Sequence, residues 1–325
     1  MNKLAIVSAG LLVPMLATSA AQAVLFEVGA GKPYTTIQDA VNAAAALDIG
    51  GPAQHNTPPA DPVTIQVYAG IYNEVVAIPA DGTSSFNGPN DSWTIRAADG
   101  NKVVVNGGIS VGVDRDKSTF DGINVHAVGT SGYTFAQTAR SNMIKNAFIY
   151  GGNTSAINFA GIGMNRLFGT NWLDHMTIFD MTFGVSSSDN STWVMTNSIV
   201  ADSGTYGLGQ FGGNANGLSY SNIYNPASNN CNSGGNLGDC TLMPDGGNNV
   251  FYPFGFDPEF ASTDPNHPNF LWLAQTSPSS GTGSSAGRFT NGGLNMGALP
   301  TVPEPATLAL LAFGGLALLS RRRMM

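Results

Sequence analysis

Charge is scarce in this chain. Only 10% of its 325 residues are Asp, Glu, Lys or Arg, and 13 cations stand against 21 acids. Lys3, Glu304 and Arg321–Arg323 lie near the ends; between them remain nine cations and twenty acids, a net charge near −11. An acidic protein gains nothing from phosphate backbones or anionic headgroups, which argues against nucleic acid and anionic lipid surfaces as partners. Cysteine is nearly absent. Cys231 and Cys240 are too few for a disulfide-dense scaffold, and no histidine lies near them to complete a zinc site. His55, His126 and His267 have no partners at metal-ligand spacing, so no metal site is expected from them.

Glycine is abundant, at 41 residues, and Asn, Ser and Thr are plentiful. Low charge and many apolar residues exclude the composition of a disordered chain and suit a fold rich in strands and turns. Residues 24–300 suffice for one large β domain. In an oxidising compartment, Cys231 and Cys240 are expected to close a small Asn- and Gly-rich loop as a disulfide. The segment "DCTLMPDGGNNVF" that follows holds Asp239 and Asp245, hard oxygen ligands that would suit a structural calcium. Their spacing lacks the D-x-D-x-D-G pattern and reads better as a Gly-rich turn, so no cofactor is otherwise expected.

Both ends look like addresses. Lys3, an apolar run from Leu4 to Leu16, and Ala21-Gln22-Ala23 have the order of a secretory signal peptide over 1–23, cut by signal peptidase after Ala23. At the far end, Ala306–Ser320 carries no charge and Arg321, Arg322 and Arg323 follow. This run is short for a membrane span, but snorkelling arginines extend it and favour the cytoplasmic side. A transmembrane helix over 306–320 is therefore expected. Val302-Pro303-Glu304-Pro305, the apolar run and the arginines together resemble the PEP-CTERM sorting signal. The resemblance implies a domain at 301–325 read by exosortase, a membrane protease. It also implies export across the inner membrane of a Gram-negative bacterium, a transient anchor, and delivery to the envelope, extracellular matrix or biofilm.

Between the ends, "KPYTTIQDAVNAAAALD" places Ile37, Ala40, Val41, Ala44 and Leu47 on one helical face, with Thr35 or Thr36 as cap; a helix is expected over 35–47. The period then changes to alternation, as in Val63, Ile65 and Val67. Five octets follow: "TFDGINVH" from Thr119, "MIKNAFIY" from Met143, "LDHMTIFD" from Leu173, "VMTNSIVA" from Val194 and "LSYSNIYN" from Leu218. Their starts are 24, 30, 21 and 24 residues apart, the mark of a solenoid of short strands. The sixth and seventh places would stack into an apolar ladder. The fourth, Gly122, Asn146, Met176, Asn197 and Ser221, favours a left-handed turn except at Met176.

The opening segment, and the closing Asp257-Pro258-Glu259-Phe260, Phe270–Leu273, Ser277-Pro278 and Gly297-Ala298-Leu299, resemble right-handed parallel β-helix proteins of the pectin-lyase-like superfamily. The expected fold is all-β: a single-stranded right-handed parallel β-helix over 24–300, capped by the N-terminal α-helix.

That superfamily contains polysaccharide lyases, glycoside hydrolases and pectinesterases. Asp121, Lys145 and His175 share the third octet place, so they are candidates for a catalytic group in one column. Asp174, Asp180, Asp189 and Asp202 lie on neighbouring coils; Trp172 and Trp193 could stack sugar rings. The third place continues with Thr196 and Tyr220, which reads equally as a solvated polar face, and the family's catalytic motifs are missing. Two functions follow: a non-catalytic, polysaccharide-associated or structural protein, or a polysaccharide lyase or glycoside hydrolase.

Overall fold

The computed structural model describes residues 24–47, 63–80, 93–98, 103–112, 117–136, 141–159, 170–187, 193–210, 217–226, 229–233, 236–237, 257–274 and 276–279. The expected disulfide partner Cys240, the cut site at Ala21 and Ala23, the residues Asp189, Asp239 and Asp245, and the whole of 301–325 lie outside these.

Among the described residues the fold is one helix and nineteen strands in one curled sheet. Strand β1 (Leu25–Val28) and helix α1 (Ile37–Leu47) come first. Seven turns of chain follow: β2 (Val63–Val67), β3 (Gly70–Tyr72), β4 (Val76–Ile78); β5 (Trp93–Ala97), β6 (Val103–Asn106), β7 (Ile109–Val111); β8 (Thr119–Asp121), β9 (Ile123–His126), β10 (Tyr133–Phe135); β11 (Met143–Phe159); β12 (Asn171–Ser187); β13 (Trp193–Thr196), β14 (Ile199–Ala201), β15 (Tyr206–Gln210); β16 (Gly217–Ser219), β17 (Asn222–Tyr224), β18 (Asn229–Ser233). Each turn pairs in parallel with the next, and only β19 (Asn236–Leu237) runs antiparallel, against β18. The path is compatible with the expected parallel β-helix.

Pairing sorts the strands into three ladders, and each turn crosses all three. The inner face of the first ladder stacks Phe26, Ile65, Ile95, Phe120, Ile144, Leu173, Met195 and Leu218. The second stacks Val105, Val125, Ile149, Ile178, Val200 and Ile223. The third stacks Val76, Ile109, Tyr133, Ile157, Val185, Leu208 and Cys231. All are buried. At roughly 4.8 Å between rungs they pack side against side, and each full burial of an aliphatic side chain stabilises by about 1.5–3 kcal/mol.

Corners join the ladders. Between the first and second ladders, Gly122, Asn146, His175, Asn197 and Tyr220 all take φ between 50° and 69°. After the second, Gly151, Asp180 and Asp202 do the same. Gly and Asn accept this left-handed region most readily.

Helix α1 closes the first turn. Ile37, Ala40, Val41 and Ala44 are buried against it. Thr36 Oγ1 accepts from the Asp39 N–H at 3.1 Å. Glu74, on the loop before β4, accepts from the Ile37 and Gln38 N–H groups, each at 2.8 Å. The helix begins two residues later than expected, because Thr36 serves as its cap.

The segment 257–279 folds back as a strap over the outer side of the second ladder. Phe270 packs edge-on against Phe148 and Tyr150, with centroids 5.8 Å and 4.7 Å away, and Phe260 against Phe179 at 5.6 Å. Leu273 packs with Ile199 and Ala201. Ser279 Oγ accepts from Asn222 Nδ2 at 2.9 Å. The second ladder is thus buried on both sides.

This corrects the octet reading in two ways. First, the register slips by one at two octets: Met143 faces Trp172, not Leu173, and Val194 faces Gly217, not Leu218. Met176 therefore does not interrupt the corner column; His175 occupies that place. Second, in the corrected register the sixth place (Asn124, Phe148, Thr177, Ile199, Asn222) points outward and only the seventh points to the interior. A further correction concerns Trp193, which is fully buried in the inner stack and offers no platform for sugars.

No helix among the described residues is long and apolar enough to cross a membrane. The expected span at 306–320 lies outside them.

Candidate functional site

The outer side of the first ladder carries the polar side chains. Alternation along each strand sends every second residue outward. Parallel pairing then aligns Gln66, Arg96, Asp121, Lys145, Asp174, Thr196 and Ser219 in one column. Charge alternates from Arg96 to Asp174, which suits rungs that stand one strand apart.

Of the three candidates, the structure brings Asp121 and Lys145 together. Lys145 Nζ lies 3.0 Å from Asp121 Oδ2, with both side chains partly exposed. Arg96 donates to Gln66 Oε1 at 2.9 Å. His175 is not in their column. It stands one place on, at the corner, and Asp174 occupies the place assigned to it.

The corner has its own rule. Asn146 Nδ2 donates to Asp121 Oδ1, one turn back, at 2.8 Å. Asn197 Nδ2 donates to Asp174 Oδ1, one turn back, at 2.9 Å. Each corner amide thus binds the carboxylate of the rung before it. Thr196 Oγ1 also donates to Asp174 Oδ1, at 2.7 Å.

His175 breaks this rule: the side chain one turn back is Lys145, whose Nζ is turned to Asp121, not a carboxylate. Its Nδ1 lies 3.2 Å from Asp174 Oδ1, within ion-pair distance but without hydrogen-bond alignment. Both ring nitrogens and Asp174 Oδ2 are enclosed and have no hydrogen-bond partner, in residues only 7% and 2% exposed. Burial pushes the Asp174 carboxyl up, but His175, Thr196 and Asn197 pull it down further, and the net direction is below the usual carboxylate value. The sequence signal for this arrangement was the Asp174-His175 pair itself.

A second acidic group forms at the next corner. Burial, then Asp257 from the strap and Asp180 from the preceding turn, push the Asp202 carboxyl above its ordinary value. Among the described residues no group of three or more His, Cys, Asp or Glu could hold a metal ion.

Polar side chains also replace missing backbone pairs. Asn124 Nδ2 donates to the Val103 carbonyl at 2.8 Å, and its Oδ1 accepts from the Phe148 N–H at 2.9 Å. Asn142 Oδ1 accepts from the Ser118 N–H, and Asn171 Oδ1 from the Asn142 N–H, at 2.8 Å and 3.0 Å. Cys231 is buried and disulfide-bonded. A shallow cavity at the other end, between the segment preceding α1 and β3, is lined by Thr36, Ile71, Tyr72 and Glu74 and lies away from the polar column.

No curated protein matches the chain. Residues 301–323 match the model of the PEP-CTERM protein-sorting motif, which supports an exported protein processed by exosortase.

Proposed function

We propose that the chain is a right-handed parallel β-helix protein of the pectin-lyase-like type, sorted to the cell envelope or extracellular matrix, where it contacts polysaccharide without cleaving it. The observation that carries this reading is the pairing of Asp121 with Lys145 at 3.0 Å. A base for proton abstraction or a cation for a uronate carboxylate must be free to meet substrate, and here each neutralises the other. Asp121 is further held by Asn146. The parallel ladders and the resemblance of both ends of the domain support the fold type.

Sorting proceeds in steps on this reading. Signal peptidase cuts after Ala23, the run 306–320 anchors the chain briefly, and exosortase cuts near Pro303-Glu304-Pro305. Cys231 pairs with Cys240, the chain's other cysteine.

One observation favours a second reading, a lyase or hydrolase using Asp121, Lys145 and His175: the His175 ring has no hydrogen-bond partner, as a group awaiting substrate would have none. Incubation with a panel of polysaccharides separates the two. Retention on a glycan without new reducing ends or unsaturated products supports the first. Products that vanish in Asp121→Asn/His175→Ala establish the second.

A further inference from the structure

The rung of Lys145, Asp174 and His175 departs from the rule that governs its neighbours. At the turns on either side, a corner Asn donates to a carboxylate one turn back. Here a histidine stands over a lysine whose Nζ is turned to Asp121, and no hydrogen bond joins the two. Three enclosed atoms in two buried side chains are left without a hydrogen-bond partner: Asp174 Oδ2 and both His175 ring nitrogens, Nδ1 keeping only its 3.2 Å approach to Asp174 Oδ1. His175 also holds φ at +52°, which Asn or Gly would adopt more easily. An orphaned buried polar atom costs stability, and three gathered at one corner, between two corners whose amides are paired, bear a local cost that points to use.

From this we infer that Asp174 and His175 form a contact site for the hydroxyl groups of a neutral glycan, with the His175 ring as a movable cover over Asp174; the inference rests on the polysaccharide reading above. A hydroxyl both donates and accepts, so one hydroxyl can give its proton to Asp174 Oδ2 and take one from an imidazole N–H. A uronate carboxylate only accepts. It would meet Asp174 and Asp121 as like charges, and the adjacent cation, Lys145, is already paired. No hydrogen bond fixes the imidazole, whose Nδ1 lies 3.2 Å from Asp174 Oδ1; on this inference the ring must turn about its side-chain bonds for a hydroxyl to reach the carboxylate. Trp172 precedes Asp174 by two residues, faces the same outer side and is half-buried, which places an aromatic surface beside the site.

The test restores the rule. In Lys145→Asn/His175→Asn the corner amide regains an acceptor one turn back. The full chain, wild type and variant, is run in native gels containing hydroxyethyl cellulose, dextran or polygalacturonate, and each is melted without glycan. The inference expects a neutral polymer, and not polygalacturonate, to retard the wild type. It expects the variant to lose at least tenfold in affinity while melting about 1–3 °C higher. Retardation by polygalacturonate, or undiminished retention of the variant on a neutral polymer, overturns the inference and leaves the polysaccharide reading standing. A variant that melts below wild type overturns the ladder argument. Retardation of the wild type by no polymer defeats the polysaccharide reading itself, and the inference falls with it.

Discussion

Gln38 of helix α1 pairs with Ala77 of β4 as a strand would. Its Oε1 accepts from the Ala77 N–H at 2.6 Å, and its Nε2 donates to the Ala77 carbonyl at 3.2 Å. The third ladder would otherwise begin with an open edge, which invites pairing with another chain. The first ladder begins with β1 instead, so two devices cover two edges of the same turn.

Gln38→Ala should therefore expose the Ala77 backbone. Two lost hydrogen bonds on a partly exposed edge are worth about 1–2 kcal/mol. The measurement is the urea midpoint, with sedimentation to detect self-association. An unchanged midpoint would mean that the helix closes the turn by apolar packing alone.

Ile199 and Ile223 lie on neighbouring turns of the second ladder, but on opposite sides of it. Ile223 faces the inner stack, and Ile199 faces Leu273 of the strap. An unpaired charge is costly in either place, but what it breaks differs. Ile223→Asp should prevent folding of the coil. Ile199→Asp should retain the β circular dichroism signal while the strap becomes a target for limited proteolysis within 257–279. Equal loss of structure in both variants would show that strap and coil fold as one unit.

The same two-sided burial explains what could be read from sequence and what could not. The helix and the repeated turn were legible, because a 3.6-residue period, a 2-residue period and a recurring Gly or Asn each have a local cause. Register was not. Phe148, Phe179 and Ile199 face outward yet are apolar, since the strap covers them, so octets through the second ladder read as apolar runs that fit equally well when slid by one residue. That slip placed His175 beside Lys145 in the polar column, where Asp174 belongs. The corner column would have fixed it, had His175 been accepted at a left-handed position.

Asp174 has a carboxyl held below its ordinary value in the fold, so its ionised form is favoured by folding. Its contribution is full above the unfolded value, near 3.8, and is lost as pH falls through the lower folded value. Wild-type stability should decline through that acid window, and Asp174→Asn should flatten the decline. At neutral pH the variant should cost about 1–3 kcal/mol, because a neutral amide oxygen accepts from Thr196 and Asn197 more weakly than the carboxylate does. Urea unfolding across pH 2–7 reads both. A parallel decline in wild type and variant would remove Asp174 as the source.

Asp202 works in the opposite sense. Burial, Asp257 and Asp180 raise its carboxyl, so the native state holds this proton more tightly than the unfolded chain does. Its favourable contribution is full below the unfolded value and is lost as pH rises through the folded one. Near neutrality the three carboxylates therefore repel. Asp202 stands at a left-handed corner, a position that Asn tolerates, so Asp202→Asn removes one charge without new backbone strain. Its side chain is only partly covered and water still screens it, so the gain at pH 7 should be under about 1 kcal/mol. It should shrink in high salt and vanish at pH 3, where the carboxyl is protonated in wild type as well. Melting temperatures of the two proteins in low and high salt, at both pH values, test this. A gain that persists at pH 3 would place its origin in packing against the strap rather than in charge.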